Sequence, residues 1–289
     1  MGHDAFSKCH PLVNFLYFVG AIGFGVVIQH PAYILASFLG GFLYYLVLKG
    51  KEAWKLTVLL LPMFLILSAL NPLFNHYGNW VFFYVFGNPY TFEALLYGMA
   101  IAGIFAVMMV WFCCYSVVLT SDKFICLFGS LIPAISMLLV MVLRLIPELM
   151  RKASQISFAR RTIGRGAGEQ SSAREKVRDG IRILSALTDW ALEGSIITAD
   201  SMRSRGYGCT RRTSFRIYRI TIRDLILLTV MAVLAGLVLV AGGNTAVYSP
   251  ELSIAVPGWG LAVYCIYLLI PTALQAKEAL QWHISISRI

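Results

Sequence analysis

Six stretches of this chain run for fifteen residues or more with scarcely an ionisable side chain: 12–28, 32–48, 56–70, 92–119, 225–241 and 259–274. Glu93 is the one Asp, Glu, Lys or Arg among them. A helix needs about 20 apolar residues to cross the hydrocarbon of a bilayer. Lipid offers the backbone no hydrogen bonds, so a segment surrounded by it has to be helical. The expected fold is therefore all-α, a polytopic helical membrane protein with about six transmembrane helices. Composition agrees: the chain is 58% hydrophobic and only 13% charged, where soluble domains carry about 25% charged residues.

Lys and Arg favour the cytoplasmic side of a membrane protein, and their positions orient the spans. The 49–55 loop holds three lysines. Residues 121–224 hold 18 of the 24 basic residues against nine of the 14 acidic ones, an excess of nine, and the rest of the chain has an excess of one. Lys8, Lys277 and Arg288 flank the ends, and the 71–91 and 242–258 loops contain no Lys or Arg. Six spans satisfy all of this with both termini, the 49–55 loop and the insert inside. A seventh span at 124–143 would put the basic insert outside. The expected organisation is transmembrane helices one to four over 1–119, a cytoplasmic or interfacial domain of amphipathic helices over 120–224, and the last two spans with a C-terminal tail over 225–289. The first apolar stretch lacks a basic leading region and a clear small-x-small cleavage site, so it is expected to be retained.

The spans are informative for what they lack. Ion-coupled carriers and proton pumps place ionisable groups in the membrane, and many transporters pair half-helices at polar breaks. Neither feature is visible. No Ser/His set, paired Asp or HExxH motif points to an intramembrane enzyme. The glycines of 164–168 are not followed by Lys-Ser or Lys-Thr, and Gly50-Lys51 lacks the earlier glycine of a phosphate loop, so the chain is not expected to hold a nucleotide. The six cysteines form no CxxC pair and read as small packing residues. No bound cofactor or metal is expected. Ala94, Gly98, Ala102 and Ala106 recur every four residues, as do Ala232 and Gly236. Such stripes let helices approach closely in lipid, within one chain or against another membrane subunit.

The insert reads as two amphipathic helices. Leu131, Ile135, Leu138, Val142, Leu145 and Leu149 follow helical spacing through the run 124–150, with Pro133 and Pro147 as bends. The helix is expected to lie at or just under the membrane, to continue through Gln155 to Ala159-Arg160-Arg161, and to stop at the glycines 164–168. Ser172-Ala173-Arg174-Glu175 has the capping-box form and starts a second helix. Val177, Ile181, Leu184, Leu187, Ala191 and Ile196 form its apolar face, and it ends at Ser204-Arg205-Gly206, where glycine suits a left-handed cap. Each helix thus finishes in arginine beside a small residue. Arg160, Arg161, Arg203 and Arg205 can serve as helix-dipole caps or anionic-lipid contacts. Alternatively, each tip enters a groove on a cytosolic partner, where the planar guanidinium can pair bidentately with a carboxylate. A basic segment can also bind nucleic acid, but in a chain mostly embedded in lipid the inside bias and a protein partner account for it better.

Several of these motifs resemble one family. Asp200-Ser201-Met202-Arg203-Ser204-Arg205-Gly206-Tyr207-Gly208 resembles the second signature of the T components of energy-coupling factor (ECF) transporters. The stretch from Ser154-Gln155 to Ala159-Arg160-Arg161 resembles the region of the first, with Arg161 where the family often has Gly after Ala-Arg. Asn71-Pro72-Leu73-Phe74 with His76 and Gly78, Thr91-Phe92-Glu93-Ala94-Leu95-Leu96-Tyr97-Gly98, and Thr120-Ser121-Asp122-Lys123-Phe124 are also similar. The likeness covers about residues 70–224.

The resemblance implies a non-catalytic scaffold in a prokaryotic cell membrane, part of an ATP-driven importer of vitamins and other micronutrients. Its partners would be two cytosolic ABC-type ATPase subunits, which use the ATP, and a small substrate-binding membrane subunit. The ATPase contacts it implies are Ala159, Arg160, Arg161, Ser204, Arg205 and Gly206, with Arg205 and Arg160 carrying the two contacts. Docking of the substrate subunit would fall to Leu131, Ile135, Leu138, Val142, Leu184 and Leu187. The residues alone leave a second reading open: a stand-alone channel or secondary carrier whose basic insert binds lipid.

Overall fold

The computed structural model describes residues 6–75, 80–85, 88–129, 133–164, 166, 172–209, 220–241, 256 and 258–286. It divides into two compact units, Met1–Phe124 with Tyr218–Ile289, and Ile125–Ile217.

The first unit is a bundle of apolar helices. Helices α1 (Pro11–Val27) and α2 (Pro31–Lys49) each begin at a His-Pro pair. In both, the His Nδ1 accepts from the N–H two residues on, at 3.2 Å, and Pro occupies the first turn, where a missing donor costs nothing. Helix α3 (Glu52–Phe74) is longer than the expected 56–70 and carries both Pro62 and Pro72 inside it. Helix α4 (Phe92–Val118) follows, and after the second unit come α8 (Ile222–Ala241) and α9 (Gly260–Ile286). Five of the six are long and apolar enough to cross a membrane. The 17-residue α1 rises about 25 Å, at the short end of the spanning range of roughly 17–25 residues.

The 71–91 loop contains a structure its sequence did not announce. Strands β1 (Val81–Val85) and β2 (Asn88–Thr91) pair antiparallel, with an irregularity between Val81 and Phe83. The run Val-Phe-Phe-Tyr-Val has the β-branched and aromatic character of a strand, and β2 leads straight into α4.

Small residues and aromatics pack the bundle. Ala94, Gly98, Ala102 and Ala106 are all buried, so this stripe faces inward. A methyl group on Gly98 would meet the Ser68 carbonyl and the Asn71 Cβ at 2.7 Å, so α3 and α4 approach backbone to backbone there. Ala232 is exposed and Gly236 faces open space; that stripe points outward. Three buried aromatics pair their polar ends inside the bundle: Tyr17 Oη donates to the Leu268 carbonyl (2.9 Å), Tyr267 Oη to the Tyr17 carbonyl (3.1 Å), and Trp111 Nε1 to Ser37 Oγ (3.0 Å). In lipid such pairing replaces the water these groups would otherwise need.

Along the expected run from 124, helix α5 covers Ser121–Gly129 and α6 covers Pro133–Thr162; residues 130–132 lie outside the described residues. Pro147 does lie inside α6. The second unit is completed by α7 (Ala173–Ser204).

Candidate functional site

Both ends of α7 are built as the local sequence dictates. At its start, Ser172 Oγ accepts from the Glu175 N–H (3.3 Å) and Glu175 Oε2 accepts from the Ser172 N–H (3.0 Å), a complete capping box. At its end, Tyr207 N–H donates to the Met202 carbonyl and Gly206 N–H to the Arg203 carbonyl, both at 3.0 Å. This is the Schellman arrangement, and it needs the left-handed Gly206 (φ 77°). Helix α6 stops in a related way: Gly164 (φ 67°) donates to the Arg161 carbonyl at 3.0 Å. Each arginine tip is therefore held in a defined turn.

The helices run antiparallel where they meet. Arg160 on α6 pairs with Asp179 on α7, and Lys152 Nζ lies 5.6 Å from the centre of the Trp190 ring. Stepping back from 160 to 152 on α6 therefore steps forward from 179 to 190 on α7. From Asp179 to Arg205 is 26 residues, about 39 Å of helix. The two arginine tips are consequently far apart, at opposite ends of one hairpin.

The tips differ in what they offer. Arg160 Nε and Nη2 both reach Asp179 Oδ1, at 2.7 and 2.5 Å, and the side chains are 20% and 12% exposed. Ala159 and Arg161 beside it are exposed. At the other tip Ser204, Arg205 and Gly206 are all exposed, and Arg205 makes no side-chain hydrogen bond or ion pair with another described residue. Arg160 is thus engaged within the chain, while Arg161 and Arg205 point their charges outward.

The apolar face of α7 is wider than one contact needs, and the hairpin splits it. Ile183, Leu187, Trp190 and Ala191 are half-buried, on the flank that holds Asp179 and Trp190, the residues that meet α6. Val177, Ile181, Leu184, Leu192 and Ile196 are exposed. Helical geometry at 100° per residue puts these five on one stripe. On α6, Leu138 and Val142 are exposed as well. Leu131, and the side chain of Ile135, lie outside the described residues. Of the expected docking residues, Leu138, Val142 and Leu184 therefore present outward, and Leu187 is drawn toward the hairpin. Asp179 and Trp190 had no assigned role from sequence; only the antiparallel pairing of α6 and α7 brings them to Arg160 and Lys152.

Elsewhere the bundle contains an apolar groove of about 440 Å³ between α2, α3 and α4, lined by residues such as Phe38, Leu60, Phe64, Met99 and Gly103, with Thr57 the one hydroxyl. It offers nothing to fix a charged substrate. Among the described residues no three His, Cys, Asp or Glu side chains come together to hold a metal ion. Comparison with protein-family models and with curated proteins finds no match.

Proposed function

We propose that this chain is the transmembrane energy-coupling scaffold of an ATP-driven ECF-type importer of vitamins or other micronutrients. In this reading it lies in a prokaryotic cell membrane with both termini and the insert in the cytoplasm. The observation that carries the proposal is the hairpin: two outward arginines, at tips separated by about 39 Å of α7, with an exposed apolar stripe between them. A single pocket would not use two such tips. A pair of similar cytosolic subunits would.

The division of labour follows from the residues. Arg205 and Arg161 meet carboxylates in grooves of two ABC-type ATPase subunits, where a planar guanidinium keeps its charge when desolvated. Ala159, Ser204 and Gly206 keep the tips narrow. Arg160 braces the hairpin through Asp179, so that a force on one tip is carried into the other helix. The stripe of Val177, Ile181, Leu184, Leu192 and Ile196, with Leu138 and Val142 on α6, holds the substrate-binding membrane subunit. ATP binds the partners, and this chain performs no catalysis.

The test is reconstitution in lipid vesicles with the ATPase and substrate-binding subunits encoded in the same genome. Uptake should require ATP and all components. Uptake by the chain alone, without ATP, would support a stand-alone carrier and sink the scaffold reading.

A further inference from the structure

Among the described residues, one Lys and one Asp side chain are buried in the bundle unit, and both stand near the points where the chain passes to the second unit. Lys123 (6% exposed) lies two residues before Ile125, where that unit begins. Asp224 (5% exposed) lies seven residues after Ile217, where it ends. An ion is costly to bury unless hydrogen bonds replace its water, so the partners reveal what each one is for.

Both hold the same short stretch of chain. Lys123 Nζ donates to the Ser7 carbonyl (2.5 Å), the Ser7 hydroxyl (2.7 Å) and the Val118 carbonyl at the end of α4 (2.9 Å). Asp224 Oδ1 accepts from the His10 N–H (3.2 Å), and Oδ2 accepts from the N–H (3.0 Å) and hydroxyl (2.7 Å) of Thr221. The stretch between Ser7 and His10 is itself anchored. Phe6 is fully buried, its ring 5.2 Å from that of Tyr17 on α1 and 6.4 Å from that of Tyr44 on α2. Lys8 pairs with Glu278 on α9 at 2.6 Å. The stretch 6–10 thus contacts α1, α2, α5, α8 and α9.

We propose that residues 6–10 are a clasp, gripped by Lys123 and Asp224, that ties together the two joints of the bundle unit at which the chain leaves and returns. Charge-assisted hydrogen bonds are the strong, directional kind, and here they grip backbone atoms of the two strands leaving and re-entering the bundle.

Hydrogen exchange on the full chain in lipid nanodiscs tests it, with Lys123→Met, Asp224→Asn and Phe6→Ala. If one clasp holds both joints, each substitution acts at a distance. Lys123→Met should speed exchange at 221–225 roughly tenfold, and Asp224→Asn should do the same at 120–124. Phe6→Ala, which leaves both charged groups in place, should loosen both joints. Amides in the middle of α4 and α8 should not change. The proposal is overturned if each charge substitution loosens only its own joint, if neither joint responds, or if exchange rises equally through the middle of the spans. Should Lys123→Met fail to fold, the other two variants decide. The measurement uses this chain alone, so its outcome is independent of whether the ATPase reading stands.

Discussion

Arg160 and Asp179 are joined by two hydrogen bonds that converge on one carboxylate oxygen, Nε at 2.7 Å and Nη2 at 2.5 Å. The pair is mostly hidden from solvent and ties the last turn of α6 to the second turn of α7. Hydrogen bonds to charged groups contribute about 1.5–3 kcal/mol. A double-mutant cycle of Arg160→Ala and Asp179→Ala should therefore show a coupling of about 2 kcal/mol in the opening of α6 and α7, read by hydrogen exchange. Additive effects would mean that the pair does not brace the hairpin.

The brace changes how charge reversals should be read. Arg160→Glu sets a carboxylate against Asp179 and is expected to open the hairpin, so loss of a partner from that variant would not identify a contact. Arg161→Glu lacks this complication, because Arg161 is exposed. It should weaken ATPase binding while leaving exchange at 175–183 unchanged. Binding that survives Arg161→Glu unchanged would contradict an ATPase contact at Arg161.

The turn that presents Arg205 depends on a left-handed residue. Gly206→Ala should cost about 1 kcal/mol, since a Cβ disfavours φ 77°. The loss should appear as faster exchange at the Gly206 and Tyr207 amides. Ser172→Ala should cost a similar ~1 kcal/mol at the other end of α7, read at the Glu175 amide. If neither end frays, the capping account is wrong.

Two small residues on two stripes should behave oppositely. Gly98→Val should destabilise the bundle by about 1–3 kcal/mol, because its Cβ would fall 2.7 Å from the Ser68 carbonyl. Gly236→Ala should be neutral or slightly stabilising, since nothing lies within 4 Å of its Cβ position and Ala is the better helix former. Thermal unfolding of the purified chain compares them; equal losses would contradict the assignment of one stripe inward and the other outward.

The spans were legible because their signal is the absence of charge, which no tertiary contact alters. The caps of α7 were legible because they are local: Ser172 and Glu175 sit three residues apart, and Gly206 follows the last turn. What was hidden depended on distance in sequence. Arg160 and Asp179 are 19 residues apart and meet only once α6 and α7 fold back on each other. The apolar stripe of α7 could be seen, but not that half of it turns toward the hairpin. The third apolar stretch read as 56–70, whereas α3 runs from Glu52 to Phe74 because polar residues at both ends continue the helix. The strands β1 and β2 fell in a loop whose turn has none of the Asn-Gly or Asp-Gly chemistry that marks a tight hairpin. Lys123 and Asp224 are far from residues 6–10 in sequence, and their shared hold on that stretch comes only with the fold.

The central claim is that Arg205 and Arg161 each engage an ATPase subunit, and assembly tests it most directly. The full chain is co-purified with the pair of ABC-type ATPases encoded in the same genome, as wild type, Arg205→Glu, Arg161→Glu and the double variant. The scaffold account predicts that wild type captures both ATPases, that each single reversal sharply lowers capture, and that the double variant captures none. Equal capture of both ATPases by wild type and the double variant would contradict it.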